Sequence, residues 1–435
     1  MPRTAPANPL LTLDAPTSAS ATEREEPYLY ADNAATTPIC PEALDAMTRC
    51  YARVFGNPSG IHTVAAQAAS TLLKARTCCA RNLGAAPEEI FFTSGGSESD
   101  TWAITGAVER FRDLHGPEAP LSIITSAIEH HAVLHTCDAL ARNGAHIIAL
   151  TPDRLGRVSA EALEDALKEC AGQGRRAGIP TSCALVSIML ANNEVGTIED
   201  IATLCRVAHR YGAAIHTDAV QAVGHIPVSA HELGVDALSL SGHKFNGPRG
   251  TGLLYLRDGF SIPPLVKGGA QERGLRAGTE NLPGVCGLAA ALNVRVGGDA
   301  GQTDILKARG RALARKRDHL VERICSSAPD VMPTGASSRE RLPGMASFIC
   351  KNVDGELLVM LLDRMGVAAA TGSACSTGST EPSHVIRALG VTDPAWARGT
   401  LRLSLTPTIT DDEVELMAQR TVMAIRKARL ISTCS

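Results

Sequence analysis

Short apolar runs alternate along the chain with longer segments in which apolar and polar residues mix. Each run is bounded by glycine, proline or small polar residues and is too short for a helix, so the pattern predicts buried strands separated by helices. Such alternation is typical of an α/β fold with a mostly parallel sheet flanked by helices. The predicted strands are Ile90–Thr93, Ser122–Thr125, His146–Leu150, Ala184–Leu190, Ala213–His216 and a run from Ala237, and the clearest helices are Ala65–Leu83 and Glu98–Phe111.

Two later parts of the chain change this pattern. Thr251–Arg257 is predicted to be an antiparallel strand at the edge of the sheet. Asp304–Ile324 is predicted to be an arginine-rich helix leading to a smaller α+β domain, with strands at Met345–Cys350 and Leu401–Leu405 and a helix at Gly355–Met365. The expected division is a disordered leader at 1–27, a large domain at 40–300, and a small domain formed by 28–39 and 301–435.

The composition is that of a soluble globular protein, with 435 residues, 44% hydrophobic, 20% charged and 3% aromatic. The core must therefore be mainly aliphatic. A formal net charge of -3 gives no general attraction to nucleic acid or to an anionic membrane. No apolar run reaches the roughly 18 residues of a membrane span, and the leader lacks the pattern of a signal or transit peptide. These features predict a cytoplasmic protein.

The thirteen cysteines are scattered and include no CxxC pair. This spacing argues against a disulfide framework and against a zinc or iron–sulfur site within the chain, so most cysteines are predicted to be buried. Cys375 differs because it lies in Ala370–Ser383, which is almost wholly small and polar and is therefore typical of a loop. It is the cysteine best placed to act as a nucleophile, and the alternative is an incidental loop cysteine.

A lysine follows the predicted strand that starts at Ala237. The sequence ALSLSGHKFNGPRGTG places His243 and Lys244 just beyond the break at Ser241 and Gly242. Ligands of open α/β sheets bind beyond the carboxyl ends of the strands, so this lysine can form a Schiff base with an aldehyde such as pyridoxal phosphate. The alternative is a surface lysine in a turn.

Two other strand ends carry groups that suit the same cofactor. Ser94 to Ser97 form a glycine-rich turn between a strand and a helix, which predicts a phosphate cradle, although an N-cap serine explains Ser97 equally well. Asp218 follows a predicted strand, where its carboxylate could pair with a protonated pyridine nitrogen. A helix-capping aspartate is the alternative, and the companion Lys244 favours the functional interpretation.

Three histidines lie near the end of the predicted strand Ser122–Thr125. His130 falls at the turn into the next helix, where its ring could lie over a flat cofactor. His131 and His135 have the i, i+4 spacing of metal ligands, but the motif holds no acidic third ligand, so a structural role is favoured.

Two further segments are polar where core residues are not expected. Arg402, on a predicted strand, could bind a substrate carboxylate through a bidentate contact, and a structural ion pair is the competing interpretation. Lys267–Asn281 reads KGGAQERGLRAGTEN and is too rich in glycine and polar residues to be core. It is predicted to be a loop offered to a neighbouring subunit, or else a flexible surface loop.

Taken together and in this order, these stretches resemble the cysteine desulfurases of the nitrogen-fixation and iron–sulfur-cluster type, in the class V branch of fold-type-I pyridoxal phosphate enzymes. The resemblance runs from about Tyr28 to the end of the chain. SGHK alone would indicate only the superfamily, whereas GSAC followed by EPSHV points to the desulfurases. The motifs are YADNAATTP, FGNPSGIH, FTSGGSESD, EHHAVLHTC, ANNEVGT, HTDAVQAVG, SLSGHKFNGPRG, GGAQERGLRAGTEN and GSACSTGSTEPSHVIRALG.

The resemblance implies a role for each candidate residue. Lys244 would hold pyridoxal 5'-phosphate as a Schiff base, Asp218 would pair with the pyridine nitrogen, and His130 would lie against the ring and assist proton transfer. Cys375 would accept sulfur from L-cysteine as a persulfide while L-alanine is formed. Gln221 would contact the ring hydroxyl of the cofactor. The phosphate would be held by Gly96, Ser97, Ser241 and His243, with Thr279 contributed by the other subunit. Asn193 and Arg402 would bind the substrate carboxylate, and Asn193 would also lie beside the cofactor.

The resemblance also implies a homodimer that passes sulfur to an acceptor protein or an iron–sulfur scaffold protein. A selenocysteine lyase or a class V aminotransferase using the same lysine and aspartate is the closest alternative. The sequence departs from the family pattern at four places within the chain. Ser97 replaces a threonine, Ser376 and Thr377 invert the commoner Thr-Ser order, Arg398 replaces a histidine, and Thr406 and Pro407 replace a Gly-Arg pair.

Overall fold

The computed structural model describes residues 27–297, 303–372 and 382–432. Within them, the strands are β1 (Leu29–Tyr30), β2 (Ile90–Thr93), β3 (Ser122–Ser126), β4 (His146–Leu150), β5 (Cys183–Ser187), β6 (Ile215–Asp218), β7 (Ala237–Ser241), β8 (Gly252–Leu256), β9 (Val331–Pro333), β10 (Met345–Cys350), β11 (Val367–Ala368) and β12 (Thr400–Ser404). The helices are α1 (Pro41–Arg53), α2 (Thr63–Asn82), α3 (Gly96–His115), α4 (His131–Ala141), α5 (Ala160–Arg176), α6 (Ile201–Arg210), α7 (Ala230–Leu233), α8 (Leu282–Val296), α9 (Thr303–Ser327), α10 (Gly355–Arg364), α11 (His384–Ala388), α12 (Pro394–Ala397) and α13 (Asp411–Ser432).

The largest sheet has seven strands in the order β2-β8-β7-β6-β5-β3-β4. The five strands from β7 to β4 are parallel, whereas β8 is antiparallel to both β2 and β7. The predicted mostly parallel sheet is therefore confirmed. The edge position predicted for Thr251–Arg257 is wrong, because β8 lies between two strands and β2 forms the edge. An apolar run shows that a strand is buried, but it does not show the order of strands across a sheet.

Apolar side chains cover both faces of this sheet. Along β5, Leu185 and Val186 belong to different clusters, as expected when successive strand residues point to opposite faces. The cluster on one face includes Leu72 of α2 and Leu288 of α8, and the cluster on the other includes Trp102 of α3. Burial on both faces explains why these strands appear in the sequence as continuous apolar runs.

A second sheet, which is antiparallel, has the order β12-β10-β9 and packs against α9 and α10, and both of these helices contact α13. Its apolar cluster contains Phe348 and Leu403 of the sheet and Met417 of α13, and it also includes Leu29 of β1. The short strand β1 pairs in parallel with β11. The segment between β1 and α1 thus begins against this second core and then runs toward the large sheet.

The segment 267–281 is more closely integrated into the fold than its polarity predicts. Glu272 is buried and accepts two hydrogen bonds of 2.7 Å from Arg76, which is also buried. Glu272 Oε2 further accepts a hydrogen bond from the backbone N–H of Phe92 on β2. The prediction that the whole segment lies outside the core is therefore wrong at Glu272, because a carboxylate can be buried when a guanidinium and an N–H satisfy it.

The described cysteines fit their predicted burial. All eleven are free and either buried or partly buried. No helix in the described ranges is long and apolar enough to cross a membrane. Cys375 lies outside the described residues, as does the leader apart from Pro27.

Candidate active site

A cavity of about 290 Å³ opens at the carboxyl ends of the parallel strands. It lies where the turns after β3, β5, β6 and β7 meet the N-terminus of α3 and the buried side of β12. The cavity gathers most of the residues that the sequence singled out. Those lining it are Gly96, Ser97, His130, Asn193, Asp218, Gln221, Ser241, His243, Lys244 and Arg402.

Lys244 lies in a single 3₁₀ turn, Gly242–Phe245, that directly follows β7. Its Nζ donates hydrogen bonds to the carbonyl oxygens of Ala34, at 2.7 Å, and Ala35, at 2.9 Å. The turn is tight, since a Cβ placed on Gly247 would come within 2.8 Å of the Gly242 carbonyl oxygen. The alternative of a surface lysine in a turn is therefore wrong, because the amine lines the cavity.

Asp218 ends β6 and is only 6% exposed. Its Oδ1 accepts a hydrogen bond of 2.8 Å from the N–H of Val220, but the residues that follow form turns, so Asp218 does not cap a helix. Burial raises the pKa of its carboxyl to about 6, and the charge of Lys244 partly opposes this shift. A buried carboxylate in this position suits a cationic partner within the cavity.

The N-terminus of α3 forms the cradle expected from the sequence. The helix begins at Gly96, with Gly95 as its N-cap, and no side chain caps it. Ser97 therefore lies in the first turn, and the alternative of an N-cap serine is wrong. A Cβ on Gly252 would lie 2.5 Å from the Gly95 Cα, so only glycine lets β8 approach this turn. The free N–H groups of a first helical turn are suited to bind an anion.

His243 and Ser241 contribute polar atoms to the same wall of the cavity. His243 Nδ1 lies 3.1 Å from the Thr36 hydroxyl oxygen. Burial, with the nearby charge of Lys244, lowers the pKa of His243 to about 4, so the ring is neutral near pH 7. Gln221 is oriented by a hydrogen bond of 2.9 Å from its Nε2 to the Ala34 carbonyl oxygen.

His130 is the N-cap of α4, and its Nδ1 accepts a hydrogen bond of 3.1 Å from the N–H of Ala132. The neutral ring must then carry its proton on Nε2. Burial and the charge of Lys244 lower the pKa of His130 to about 4. The ring of His131 is tilted against the rings of His384 and His135, whose centroids lie 4.8 and 5.0 Å away. No group of three or more His, Cys, Asp or Glu side chains in the described part of the chain is arranged to hold a metal ion.

Arg402 forms the structural ion pair of the competing interpretation, while its binding of a substrate carboxylate stays a prediction. Its Nη2 donates to Asp32 Oδ1 at 2.8 Å, which is a structural ion pair. Its Nη1 donates to the carbonyl oxygens of Asn193, at 2.8 Å, and Gly372, at 3.1 Å. Arg402 also lines the cavity, and its buried Nε has no hydrogen-bond partner among the described residues.

Sequence reasoning missed two acidic residues of the cavity, Asp100 and Glu194. Both are about 1% exposed, and each has a carboxyl oxygen without a hydrogen-bond partner in the described ranges. Burial, followed by the charge of Asp218, raises the pKa of Asp100 well above its usual value. The only signal in the sequence was position, since Asp100 lies one turn into α3 and Glu194 follows Asn193.

The cavity does not include two of the candidate residues. Thr279 is exposed and does not line the cavity of this single chain. Cys375 falls in 373–381, outside the described residues, but the residues that flank this segment are placed. Gly372 accepts the hydrogen bond from Arg402, and Ser383 donates one to Glu194.

The fold and the site together define a class of protein. A mostly parallel sheet carries a lysine, a buried aspartate and a free helix N-terminus at its carboxyl edge. The family model described as aminotransferase class-V matches residues 29–417, and the chain belongs to this family.

Known relatives narrow the class. The chain is 40% identical to the cysteine desulfurase IscS of Methanosarcina thermophila, over 94% of each chain, and 41% identical to an IscS-like cysteine desulfurase of Mycobacterium tuberculosis, over 92% of this chain and 97% of the relative. A solved NifS-like protein superposes with a TM-score of 0.80 at 34% identity, covering 92% of this chain and all of the other. The chain therefore belongs with the cysteine desulfurases, and both the resemblance and the fold expected from the motifs are confirmed.

Proposed function

We propose that this protein is a pyridoxal phosphate-dependent cysteine desulfurase that converts L-cysteine to L-alanine and takes the sulfur onto Cys375. The observation that carries the proposal is the cavity itself, which gathers Lys244, Asp218, His130 and Arg402. A solved structure titled "SspA in complex with cysteine" superposes with a TM-score of 0.71 at 34% identity. That likeness supports L-cysteine as the substrate of this chain.

The cavity residues fit pyridoxal phosphate. Three buried polar atoms of residues at the cavity, on Asp100, Glu194 and Arg402, have no hydrogen-bond partner among the described residues, so the site has hydrogen-bonding capacity left for ligands. Lys244 would hold the aldehyde carbon and Asp218 the pyridine nitrogen. The phosphate would take the N-terminus of α3 with its neighbouring polar groups, and Gln221 would take the ring hydroxyl. When bound, the cofactor supplies an electron sink for negative charge at the substrate α-carbon.

The chain's own residues would then bind the substrate and move protons. Arg402 and Asn193 hold the substrate carboxylate, which fixes the α-carbon within reach of Lys244. Lys244 Nζ would be the base that removes the α-proton of the substrate and gives a proton back. His130 carries a proton on Nε2, so it can donate a hydrogen bond into the cavity.

Cys375 completes the reaction in this proposal. Its thiolate forms an S–S bond with the substrate sulfur while the C–S bond of L-cysteine breaks. The electron pair of the broken bond stays on the β-carbon, which takes up a proton as L-alanine forms. The positions of Gly372 and Ser383 support this assignment, since both contact residues of the cavity and flank the segment that carries Cys375.

A homodimer is part of the proposal, with Thr279 of each subunit reaching the partner's phosphate site. Large apolar side chains stand exposed around α1 and α2, including Tyr51, Phe55 and Ile61, with exposed fractions of 69%, 81% and about 105%. An apolar surface of this kind suits burial against a second copy.

We further propose that residues 28–39 and 301–435 act as a small domain beside the large domain at 40–300. The separate apolar cluster around Phe348, Leu403 and Leu29 supports this division.

Because relatives are named IscS, we propose that the protein is cytoplasmic and passes its sulfur to an acceptor protein or to an iron–sulfur scaffold protein.

The test is release of alanine and sulfide from L-cysteine with added reductant, compared between the wild type and Cys375→Ala at equal cofactor occupancy. We expect turnover in the wild type, and in the variant binding of L-cysteine without sulfur release. Equal activity of both proteins would show that Cys375 is not the acceptor. Inactivity of both, with the cofactor bound, would favour the class V aminotransferase, and a strong preference for selenocysteine would favour the lyase.

A further inference from the structure

Two residues that line the cavity each have a buried polar atom without a hydrogen-bond partner among the described residues, namely Glu194 Oε1 and Arg402 Nε. Both side chains are almost wholly buried, with residue exposures of 1% and 2%. Both side chains are neighbours of Gly372, because Arg402 Nη1 donates to its carbonyl oxygen and a Cβ placed on Gly372 would lie 2.3 Å from Glu194 Oε2. The carboxyl and the guanidinium thus share one neighbouring residue at the cavity.

The terminal nitrogens of Arg402 are already engaged. Nη2 is paired with Asp32, and Nη1 is shared between the carbonyl oxygens of Asn193 and Gly372. A guanidinium has five N–H groups, and these contacts use two on Nη1 and one on Nη2, so a carboxylate that enters the cavity finds the N–H at Nε and the second N–H of Nη2 unused. Each carboxylate oxygen can accept more than one hydrogen bond, so a further donor beside Nε would strengthen its binding.

The environment of Glu194 decides whether it can be that donor. Ser383 donates a hydrogen bond to Oε2, whereas Oε1 receives none from the described residues. A buried carboxylate oxygen without a donor is costly, whereas a protonated oxygen has a hydrogen to give. Burial raises the pKa of Glu194, and Arg402 and His131 only partly oppose this. The other ionisable groups that line the cavity are Asp100, His130, Asp218, His243, Lys244 and His384.

We propose that Glu194, as the neutral carboxylic acid, donates a hydrogen bond from Oε1 to the α-carboxylate of the substrate, beside the N–H of Arg402 Nε. Glu194 is thus a further substrate-binding residue, and it makes recognition of the carboxylate depend on proton uptake. The inference rests on the proposed function, since it takes an α-amino acid as the ligand of this cavity.

The direction of the pH dependence follows because only the protonated form of Glu194 can donate a hydrogen bond. The affinity for the substrate carboxylate is therefore highest below the pKa of Glu194 and falls as the pH rises through it. Well above that pKa, the dissociation constant increases by about tenfold per pH unit, because each binding event must take up one proton.

The experiment is equilibrium calorimetry of L-alanine binding to the fully loaded holoenzyme from about pH 5 to about pH 8. Ethylamine, which has the amine without the carboxylate, is titrated in parallel, so that the ratio of the two dissociation constants reports the carboxylate alone. The proteins are the wild type, Glu194→Gln, Glu194→Ala and Glu199→Gln. Glu199 is the matched control, since it is a buried carboxyl of raised pKa that accepts a hydrogen bond from Val158 and does not line the cavity.

We expect the dissociation constant of L-alanine, divided by that of ethylamine, to rise with pH in the wild type and in Glu199→Gln. In Glu194→Gln, whose amide N–H replaces the acid O–H, the ratio should stay flat near the low-pH value of the wild type. Glu194→Ala should bind L-alanine about tenfold more weakly at low pH, the loss of one hydrogen bond to a charged group. The same pH slope in the wild type and Glu194→Gln, or unweakened binding by Glu194→Ala, would overturn the proposal.

The outcome separates this inference from the proposed function. Normal desulfurase turnover with identical ratios in all four proteins would refute the role of Glu194 alone. Absence of turnover in the wild type, with the expected ratios, would refute the desulfurase activity and leave Glu194 as a carboxylate-binding residue.

Discussion

Replacing Glu272 by Gln should destabilise the protein strongly. The two side chains of the Arg76–Glu272 pair are only 8% and 2% exposed, and two hydrogen bonds of 2.7 Å join them. Glutamine keeps the size of the side chain and an acceptor for the Phe92 N–H, but it leaves the Arg76 charge buried without a counterion. Breaking a buried pair in this way costs about 3 to 5 kcal/mol.

Urea unfolding of the holoenzyme, followed by far-ultraviolet circular dichroism, measures this loss. The matched control is Glu415→Gln, whose partner Arg323 and own side chain are 43% and 33% exposed, so little change is expected. The double variant Arg76→Met with Glu272→Gln should recover part of the loss, because it removes the unpaired charge. A loss below about 1 kcal/mol for Glu272→Gln would show that Arg76 is satisfied by other groups, such as the Ile90 carbonyl oxygen that it already contacts.

Three further predictions follow from particular contacts. Burial raises the pKa of Glu199 to about 8, so between about pH 4.5 and pH 8 the folded state keeps a proton that the unfolded state releases. The stability of the protein should therefore fall as the pH rises through this range. Glu199→Gln should make the melting temperature less dependent on pH, which thermal melts measure. Gly252→Ala places a Cβ 2.5 Å from the Gly95 Cα and should weaken retention of pyridoxal phosphate during dialysis, whereas unchanged retention would mean that the turn before α3 is not part of the phosphate site. Phe55→Asp combined with Ile61→Asp should shift sedimentation toward the monomer, and an unchanged profile would place the dimer interface elsewhere.

Much of the fold could be predicted because strands of a packed sheet leave short apolar runs in the sequence. Ile90–Thr93, His146–Leu150 and Met345–Cys350 were predicted with the bounds that the structure has. The position of β8 was not, since pairing between β2 and β7 depends on contacts between segments that are distant in the chain. The pattern of apolar residues along the chain does not show which strands pair.

The candidate site was predictable for a different reason. Ligands of such sheets lie at the carboxyl ends of strands, so Asp218 stood out at the end of β6 and Lys244 stood out just after β7. Glu194 and Glu272 did not stand out, because acidic residues are usually exposed and only the folded chain shows that these two are buried. A buried acid is recognised by its partners, and those partners come from other parts of the sequence.

The segment after β1 links the two apolar cores through the cavity. Asn33 Nδ2 donates to the carbonyl oxygen of Ser404, the last residue of β12, while the Ala34 carbonyl oxygen accepts from both Lys244 and Gln221 beside the large sheet. A cofactor bound to Lys244 and a substrate bound to Arg402 would join the same two cores a second time. Unfolding should therefore be more cooperative with ligands than without them, and the apoprotein should show two separable melting steps where the loaded enzyme shows one.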